Sequence, residues 1–408
     1  MIMASKVILS INASNYGCTG TINSGILQMA RENGYTAYSA CPVDHISKKI
    51  KDENQIYIGG RISRNVNQKL FMYTGCIDLG SRFATKSFLN RIDKLNPALI
   101  HLHNIHSNYI NIKMLFEYCS IRNLPIIWTL HDCWPMTGRC TYFDLNGCEK
   151  WKSGCSACQF MYQTPVSRVD MCKRNWIYKR SIFEKYPQLT IVTPSNWLAG
   201  YVRQSYLKKH PIYVINNGID LSSFSYRNGT IRTEYDLDDK YIIACVASSW
   251  EARKGFEYVI KVAEYFENTR ILLVGSLKEA QKEKLPKNII ATGRINDRNK
   301  MQEIYSSADV FMNPTLDDNF PTTNLEALAC GTPVITFKTG GSPEAVDNNS
   351  GIVVEQGDTE GLYAAVQMAM SNCFTRKNCQ RQAAKFSATQ KYQEYVELYN
   401  NILENSKQ

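Results

Sequence analysis

The sequence predicts an α/β fold built twice over, and three observations carry this. Short apolar, β-branched runs alternate with stretches of helical spacing through most of the chain. The alternation starts afresh at residues 241–247 (YIIACVA), after an Asn217-Gly218 turn. At 408 residues the chain is too long for one ordinary core, so two domains are expected. With 44% hydrophobic and 21% charged residues it reads as globular. A formal net charge of +10 favours an anionic partner: a nucleotide-sugar, a lipid pyrophosphate or an acidic membrane surface. Nucleic acid is disfavoured, because no basic run is interleaved with aromatics. No stretch approaches the ~20 apolar residues of a membrane span. The N-terminal MIMASKVILSINAS lacks a signal-peptide layout, so a cytoplasmic protein is expected, and its 14 cysteines fit a reducing compartment.

In chain order, residues 6–12 read as a first buried strand. It enters ASNYGCTGTINSGI, where Gly17, Gly20 and Gly25 leave backbone N–H groups able to approach a phosphate at a helix start. The alternative is a tight turn only. The loop is neither a Walker loop nor a clean G-x-G-x-x-G, so ATPase and NAD readings gain little. Residues 98–103 (ALIHLH) form a second clear strand and end in HNIHSNYI. Alternation sends His101 and His103 to one face, with His106 close by. A third metal ligand of matching spacing is absent, so these read as core or loop histidines. Residues 125–130 (PIIWTL) deliver His131, followed by Asp132, to a strand's C-terminal end, where ligands of open α/β sheets bind.

The segment CWPMTGRCTYFDLNGCEKWKSGCSACQF gathers Cys140, Cys148, Cys155 and Cys158. The last two form C-x2-C, and tetrahedral zinc accepts four thiolates at such spacings. A structural zinc is expected there, with Cys133 and Cys172 as reserve ligands and free thiols as the alternative. Residues 168–185 read as a basic helical segment with Trp176 and Tyr178, either solvated or facing a membrane or acidic acceptor. Residues 189–193 form a strand, Ser195 caps the next helix, and 212–215 close the first half.

In the second half, the strand 241–247 leads to Lys254-Gly255, which opens a helix with apolar Phe256, Val259 and Ile260. A lysine at such a turn is a natural diphosphate ligand; a generic exposed lysine is the alternative. Strands follow at 270–275, at 289–292 (before Gly293-Arg294-Ile295) and at 309–312, with a helix at 301–306 between the last two. Then comes DDNFPTTNLEALACGTPVI, residues 317–335. Asp318 lies in a loop beyond a strand, and Glu326 lies eight residues on, inside a helix over 325–329. Two acids are poor phosphate partners but good acceptors for sugar hydroxyls. The bland alternative has Asp318 capping the helix and Glu326 on a solvated face. Gly340-Gly341 make a turn, and Glu344 and Asp358 each head a helix. The terminal run places Tyr392, Tyr395, Val396, Tyr399, Ile402 and Leu403 on one helical face, a core stripe.

The string 317–335 resembles the E-x7-E signature of retaining glycosyltransferases of the GT-B fold, family 4 (glycosyl transferases group 1), of the bacterial surface-polysaccharide type. The resemblance spans nearly the whole chain and is strongest over 216–357, with NNGID…F similar to the family's interdomain linker. It implies two Rossmann-like, doubly wound domains facing a cleft. Residues 1–217 would be the acceptor side, with a Cys-rich insertion at about 133–172, completed by a C-terminal helix over 386–408 that crosses back. Residues 218–385 would bind the nucleotide-sugar.

Residue by residue, the resemblance gives Glu326 the ribose hydroxyls. Asp318 stands where the first Glu usually is, one methylene shorter, and Pro321 removes a backbone donor nearby. Lys254 matches the lysine of G-R-x4-K-G, whose arginine falls on Ser249; Arg253 is the expected substitute. Gly17 and Gly20 would face the diphosphate, and Gly293, Arg294 and Ile295 the nucleobase. Asn319 and Phe320 would line the donor, His131 would contact its sugar, and His103 or His106 would edge the cleft. His131, Asp318 and Lys254 form the expected catalytic set. The implied reaction moves a sugar from a UDP- or GDP-sugar to a glycan or lipid-linked hydroxyl, with no catalytic metal and no separate base. Peripheral contact with the inner face of the plasma membrane is compatible. An epimerase of the same fold is one alternative, with Asp132 its only acid candidate. A catalytically decayed scaffold is another, suggested by Ser249 and the shortened Asp318.

Overall fold

The structure, a computed structural model, describes residues 6–50, 52–371 and 373–405. The chain divides into two units, Met1–Asn216 with Lys391–Gln408, and Asn217–Gln390. The first unit holds β1 (Val7–Ile11), β2 (Thr36–Pro42), β3 (Gln55–Ile58), β4 (Leu99–Leu102), β5 (Ile126–Thr129), β6 (Leu189–Thr193) and β7 (Ile212–Val214). The second holds β8 (Ile242–Ser249), β9 (Arg270–Ser276), β10 (Ile289–Gly293), β11 (Val310–Asn313), β12 (Val334–Phe337) and β13 (Gly351–Val354).

Both sheets are parallel. The orders are β3-β2-β1-β4-β5-β6-β7 and β10-β9-β8-β11-β12-β13. Each is a Rossmann-like, doubly wound sheet. The near-continuous apolar strands follow from burial on both faces, as parallel sheets covered by helices require. Each order reverses once, between β1 and β4 and between β8 and β11. Next to such a reversal, neighbouring loops diverge and leave a crevice beyond the strands' C-terminal ends.

Several local expectations hold. Ser195 caps the helix Asn196–Gln204 by accepting the Leu198 N–H at 3.2 Å. Asp358 caps Thr359–Met370 through the Gly361 N–H at 2.9 Å. Tyr392, Tyr395, Val396, Tyr399 and Leu403 of the helix Ala388–Asn405 are buried.

Others are corrected. Lys254 does not open a helix: it ends a 3-10 turn, Ala252–Lys254, and the helix Phe256–Tyr265 follows Gly255. Glu344 lies in a single 3-10 turn, Ser342–Ala345. The basic segment 168–185 is helical only over Cys172–Phe183, because Asp170 accepts the Cys172 N–H at 2.9 Å and turns the chain there. Its face is not simply solvated either. Lys179 is fully buried, its ammonium 3.8 Å from the centre of the Trp134 ring and bonded to the Trp134 carbonyl. Burial pushes its pKa down to about 7.

Candidate active site

In the second unit, the loops after β8 and β11 meet. The turn after β8 ends at Gly255, whose φ is +75°; a Cβ there would lie 1.9 Å from the Pro314 carbonyl oxygen. On the other side, a Cβ on Gly340 (φ +57°) would lie 1.5 Å from the Asp318 carbonyl oxygen. The loop after β11 is therefore gripped between two glycines, neither replaceable without moving backbone. Backbone bonds hold it: Leu316 N–H to Arg253 O at 2.8 Å and Gly341 N–H to Asn319 O at 2.8 Å.

This packing sets Lys254 against Asp318, Nζ to Oδ2 at 2.5 Å, with both side chains largely shielded. Asp318 is not a helix cap. The helix Thr322–Ala329 starts after Pro321 with no side-chain cap. Arg253 lies in the same turn, but its guanidinium donates to the Asp317 carbonyl at 2.7 Å. Ser249, at the end of β8, donates to Glu251 at 3.4 Å.

Glu326 is not on a solvated face. The Tyr305 hydroxyl donates to its Oε2 at 2.7 Å. Burial raises the carboxyl above the usual carboxylate range, opposed by hydrogen bonds from Tyr305 and Thr322 and by the charge of Arg298. The first turn of this helix is fastened to β11 by Asn313 Nδ2 donating to Asn324 Oδ1 at 2.8 Å. Gly293 ends β10 with φ +72° and open space where a Cβ would stand; Arg294 is exposed, and Ile295 packs on the core. Asn319 is buried. Phe320 puts its ring into the core, 5.6 Å from the Phe386 ring, and its carbonyl accepts from Asn217 Nδ2 at 3.0 Å.

In the first unit, Gly17 has φ +70° and open space around it, and it starts the helix Gly17–Glu32. At Gly20 a Cβ would lie 2.6 Å from the Asn15 backbone, so the tight turn needs glycine. Gly25 serves packing: a Cβ there would lie 2.2 Å from the Tyr392 ring.

The strands β4 and β5 bring three histidines into one file. His101 Nδ1 is 2.7 Å from the Tyr399 hydroxyl, and its Nε2 is 2.8 Å from Thr129 Oγ1. The His101 and His103 rings are 4.3 Å apart, on one strand face as alternation requires. His103 Nδ1 meets His131 Nε2 at 2.9 Å. Burial lowers all three pKa values, to about 3 for His101 and about 4 for His131. The three are therefore neutral imidazoles. Of the two candidates for a cleft edge, His103 is fully buried; His106 is partly exposed and sits 2.9 Å from Asp132 Oδ2. The other Asp132 oxygen accepts the Trp134 N–H at 2.9 Å, so this carboxylate is committed to the protein.

The Cys-rich insertion is where a structural zinc is expected. Cys140, Cys148, Cys155, Cys158 and Cys172 line one cavity. Yet among the described residues no group of three or more His, Cys, Asp or Glu side chains is placed to hold a metal ion. Cys158 is hydrogen bonded with the Cys140 and Cys172 thiols, and Gly138 N–H donates to Cys155 Sγ at 3.1 Å. A buried cation ties the insertion together: the Arg139 guanidinium donates to the carbonyls of Phe160, Gln163 and Pro165. Sequence reasoning missed Arg139, Lys179 and Tyr305. Their spacing matches any amphipathic or loop residue, and only tertiary packing reveals their partners.

Comparison with known proteins adds to this geometry. Residues 66–223 match the model of glycosyltransferase family 4, and residues 228–386 match that of glycosyl transferases group 1. The chain is 25% identical over 319 residues to a putative colanic acid biosynthesis glycosyl transferase, WcaC, of Escherichia coli K12, covering 75% of this chain and 77% of that protein. It is 26% identical over 247 residues to the N,N'-diacetylbacillosaminyl-diphospho-undecaprenol α-1,3-N-acetylgalactosaminyltransferase of Campylobacter jejuni, covering 57% and 64%. Among solved structures, the Anabaena protein HepE in complex with UDP-glucose superposes with a TM-score of 0.68 at 14% identity, over 97% of this chain and 99% of that one.

Proposed function

Because the chain belongs to the GT-B glycosyltransferases whose family models its two halves match, we propose that it moves a sugar from a UDP- or GDP-sugar to a hydroxyl of a glycan or lipid-linked acceptor, with retention, in surface-polysaccharide assembly. The carrying observation is the pairing of Lys254 with Asp318 in the loops after β8 and β11, with Glu326, eight residues on, anchored by Tyr305. The relatives support the reading: one is named for colanic acid biosynthesis and one for a diphospho-undecaprenol acceptor, and a structural neighbour holds UDP-glucose.

Lys254 offsets the charge that grows on the leaving diphosphate, and the backbone N–H groups at the helix starts add to it. An arriving diphosphate competes with Asp318 for the lysine. The displaced carboxylate then accepts hydroxyls of the donor sugar. Glu326, held by Tyr305, accepts the ribose hydroxyls and so orients the donor. His131, neutral, serves as a hydrogen-bonding group for the sugar rather than as a base. The leaving phosphate takes the acceptor proton on the same face.

A thermal-shift panel of UDP-, GDP- and ADP-sugars tests donor binding. A true donor at 100-fold excess over its Kd raises stability by about 2.7 kcal/mol. A well-folded sample shifted by no nucleotide would mean a decayed scaffold. For Glu326→Ala we expect an unchanged fold and roughly 10–100-fold weaker donor binding, the loss of charge-assisted hydrogen bonds of about 1.5–3 kcal/mol. Unchanged binding would refute the ribose assignment. Activity is expected to survive chelation by EDTA; a loss restored by added divalent cation would remove metal independence.

A further inference from the structure

Two cations of the first unit are buried and bonded to carbonyls, not carboxylates. Arg139 is 1% exposed and Lys179 is 0% exposed. The Arg139 guanidinium donates to three backbone carbonyls, and its Nε is buried with no partner. The Lys179 ammonium meets the Trp134 carbonyl and ring. A buried charge held only by neutral groups is costly, so both call for an anion in the same place.

What surrounds them is sulfur. Arg139 Nη2 is 3.9 Å from Cys158 Sγ. Cys155, Cys140 and Cys172 lie within electrostatic reach of Lys179, as does Asp132. Asp132 is already committed to His106 and to the Trp134 N–H.

The backbone gathers these cysteines. Asp170 accepts the Cys158 N–H at 2.7 Å and the Cys172 N–H at 2.9 Å, which clamps the two together. A Cβ on Gly138 would lie 2.8 Å from the Cys155 Cβ and 2.5 Å from the Cys172 carbonyl oxygen. Glycine there lets Cys155 and Cys172 close on the loop that carries Cys140. Cys158 is hydrogen bonded with the thiols of both Cys140 and Cys172. Backbone N–H groups meet two of the sulfurs, Gly138 on Cys155 and Phe160 on Cys158. Such bonds favour the thiolate form.

Four thiolates on a divalent metal leave two negative charges over, and Arg139 with Lys179 supplies two positive ones. We propose that Cys140, Cys155, Cys158 and Cys172 hold a structural zinc ion whose surplus charge these two buried cations offset. Cys172 takes the place that spacing gave to Cys148, which lines the same cavity near Cys155. On binding, Zn²⁺ sheds its waters, four Zn–S bonds form, and the four thiol protons leave to solvent. The thiols contact one another rather than a common centre. Tetrahedral zinc with ~2.3 Å Zn–S bonds sets its sulfurs roughly 3.8 Å apart, about the spacing of hydrogen-bonded sulfurs, so rotation of the side chains closes the site. The ion joins three separate stretches of the insertion. Through Lys179 it braces the turn at Trp134. None of this depends on the glycosyl-transfer reading.

The test is metal analysis by mass spectrometry of the protein purified under reducing conditions and dialysed against zinc. One zinc per chain is expected, kept in Cys148→Ser and lost in Cys158→Ser and Cys172→Ser. Where a cysteine variant does not fold, the wild type supplies the test: a mercurial thiol reagent should release its zinc into a metallochromic indicator as the thiols react. Cobalt in place of zinc should give the visible absorption of a tetrahedral thiolate centre. Lys179→Met should keep the metal but yield it to a chelator roughly tenfold faster or more, the scale of losing a group that supports the ligands. Stripping the ion should lower Tm, which separates it from a catalytic metal, whose removal costs turnover at unchanged Tm. A folded protein without zinc, zinc undiminished in both Cys158→Ser and Cys172→Ser, zinc lost in Cys148→Ser, or a Cys158 disulfide in the reduced preparation would each overturn the proposal.

Discussion

Lys254→Ala is expected to lower kcat by roughly 10²–10³-fold, the loss of about 2.7–4 kcal/mol of preorganised charge stabilisation. Two effects combine. The cation that offsets the leaving diphosphate is gone. The Asp318 carboxylate, 2.5 Å from the lysine in the wild type, is then left uncompensated and faces the donor phosphates. Like charges at this range repel in a shielded loop far more than in water. Nucleotide binding should therefore weaken more in Lys254→Ala than in Lys254→Ala/Asp318→Asn, where the repulsion is removed. Steady-state kinetics and calorimetric titration of the four proteins of this cycle check both parts. Wild-type nucleotide affinity in Lys254→Ala would show that the lysine does not meet the phosphates.

Acid is expected to destabilise the first unit steeply, beginning above the range where carboxylates titrate. His101 and His131 are held neutral by burial, with pKa values of about 3 and about 4 against 6.5 in the unfolded chain. Below pH 6.5 the unfolded chain binds protons that the native state refuses, so stability falls as pH drops from 6.5 toward 3. At 1.36 kcal/mol per unit, each of these groups contributes on the order of 3–5 kcal/mol across that window. His101→Gln should flatten the dependence while costing roughly 1–3 kcal/mol at pH 7 for the bonds to Tyr399 and Thr129 that it no longer makes fully. Denaturant midpoints at pH 7, 6, 5 and 4 measure this. An identical pH slope in His101→Gln would exclude this histidine as the source.

The strands were legible because parallel strands buried on both faces must be continuous apolar runs. The expected 189–193 matches β6, and 270–275 and 289–292 differ from β9 and β10 by a single residue at one end. Asp318, Lys254 and His131 were legible as positions because they are polar residues that follow apolar strand runs, and Glu326 as an acid inside the helix that comes after Asp318. Their partners were not. Nothing in the spacing tells Tyr305 that it will meet Glu326, or His103 that it will meet His131. The packing of the Cys-rich insertion was not legible either: C-x2-C spacing does not reveal that Cys158 meets the Cys140 and Cys172 thiols or that the Arg139 guanidinium is buried among backbone carbonyls.

By itself, then, the amino-acid order determined the layered architecture, its repetition in two halves, and which side chains lie beyond the strand tips, since these follow from local periodicity and turn chemistry. Tertiary packing alone decided that Asp318 faces a lysine rather than a helix end, that three histidines share one file, and that Ile62 and Phe83 are bare. Those outcomes depend on contacts between residues tens to hundreds of positions apart, which no local pattern encodes.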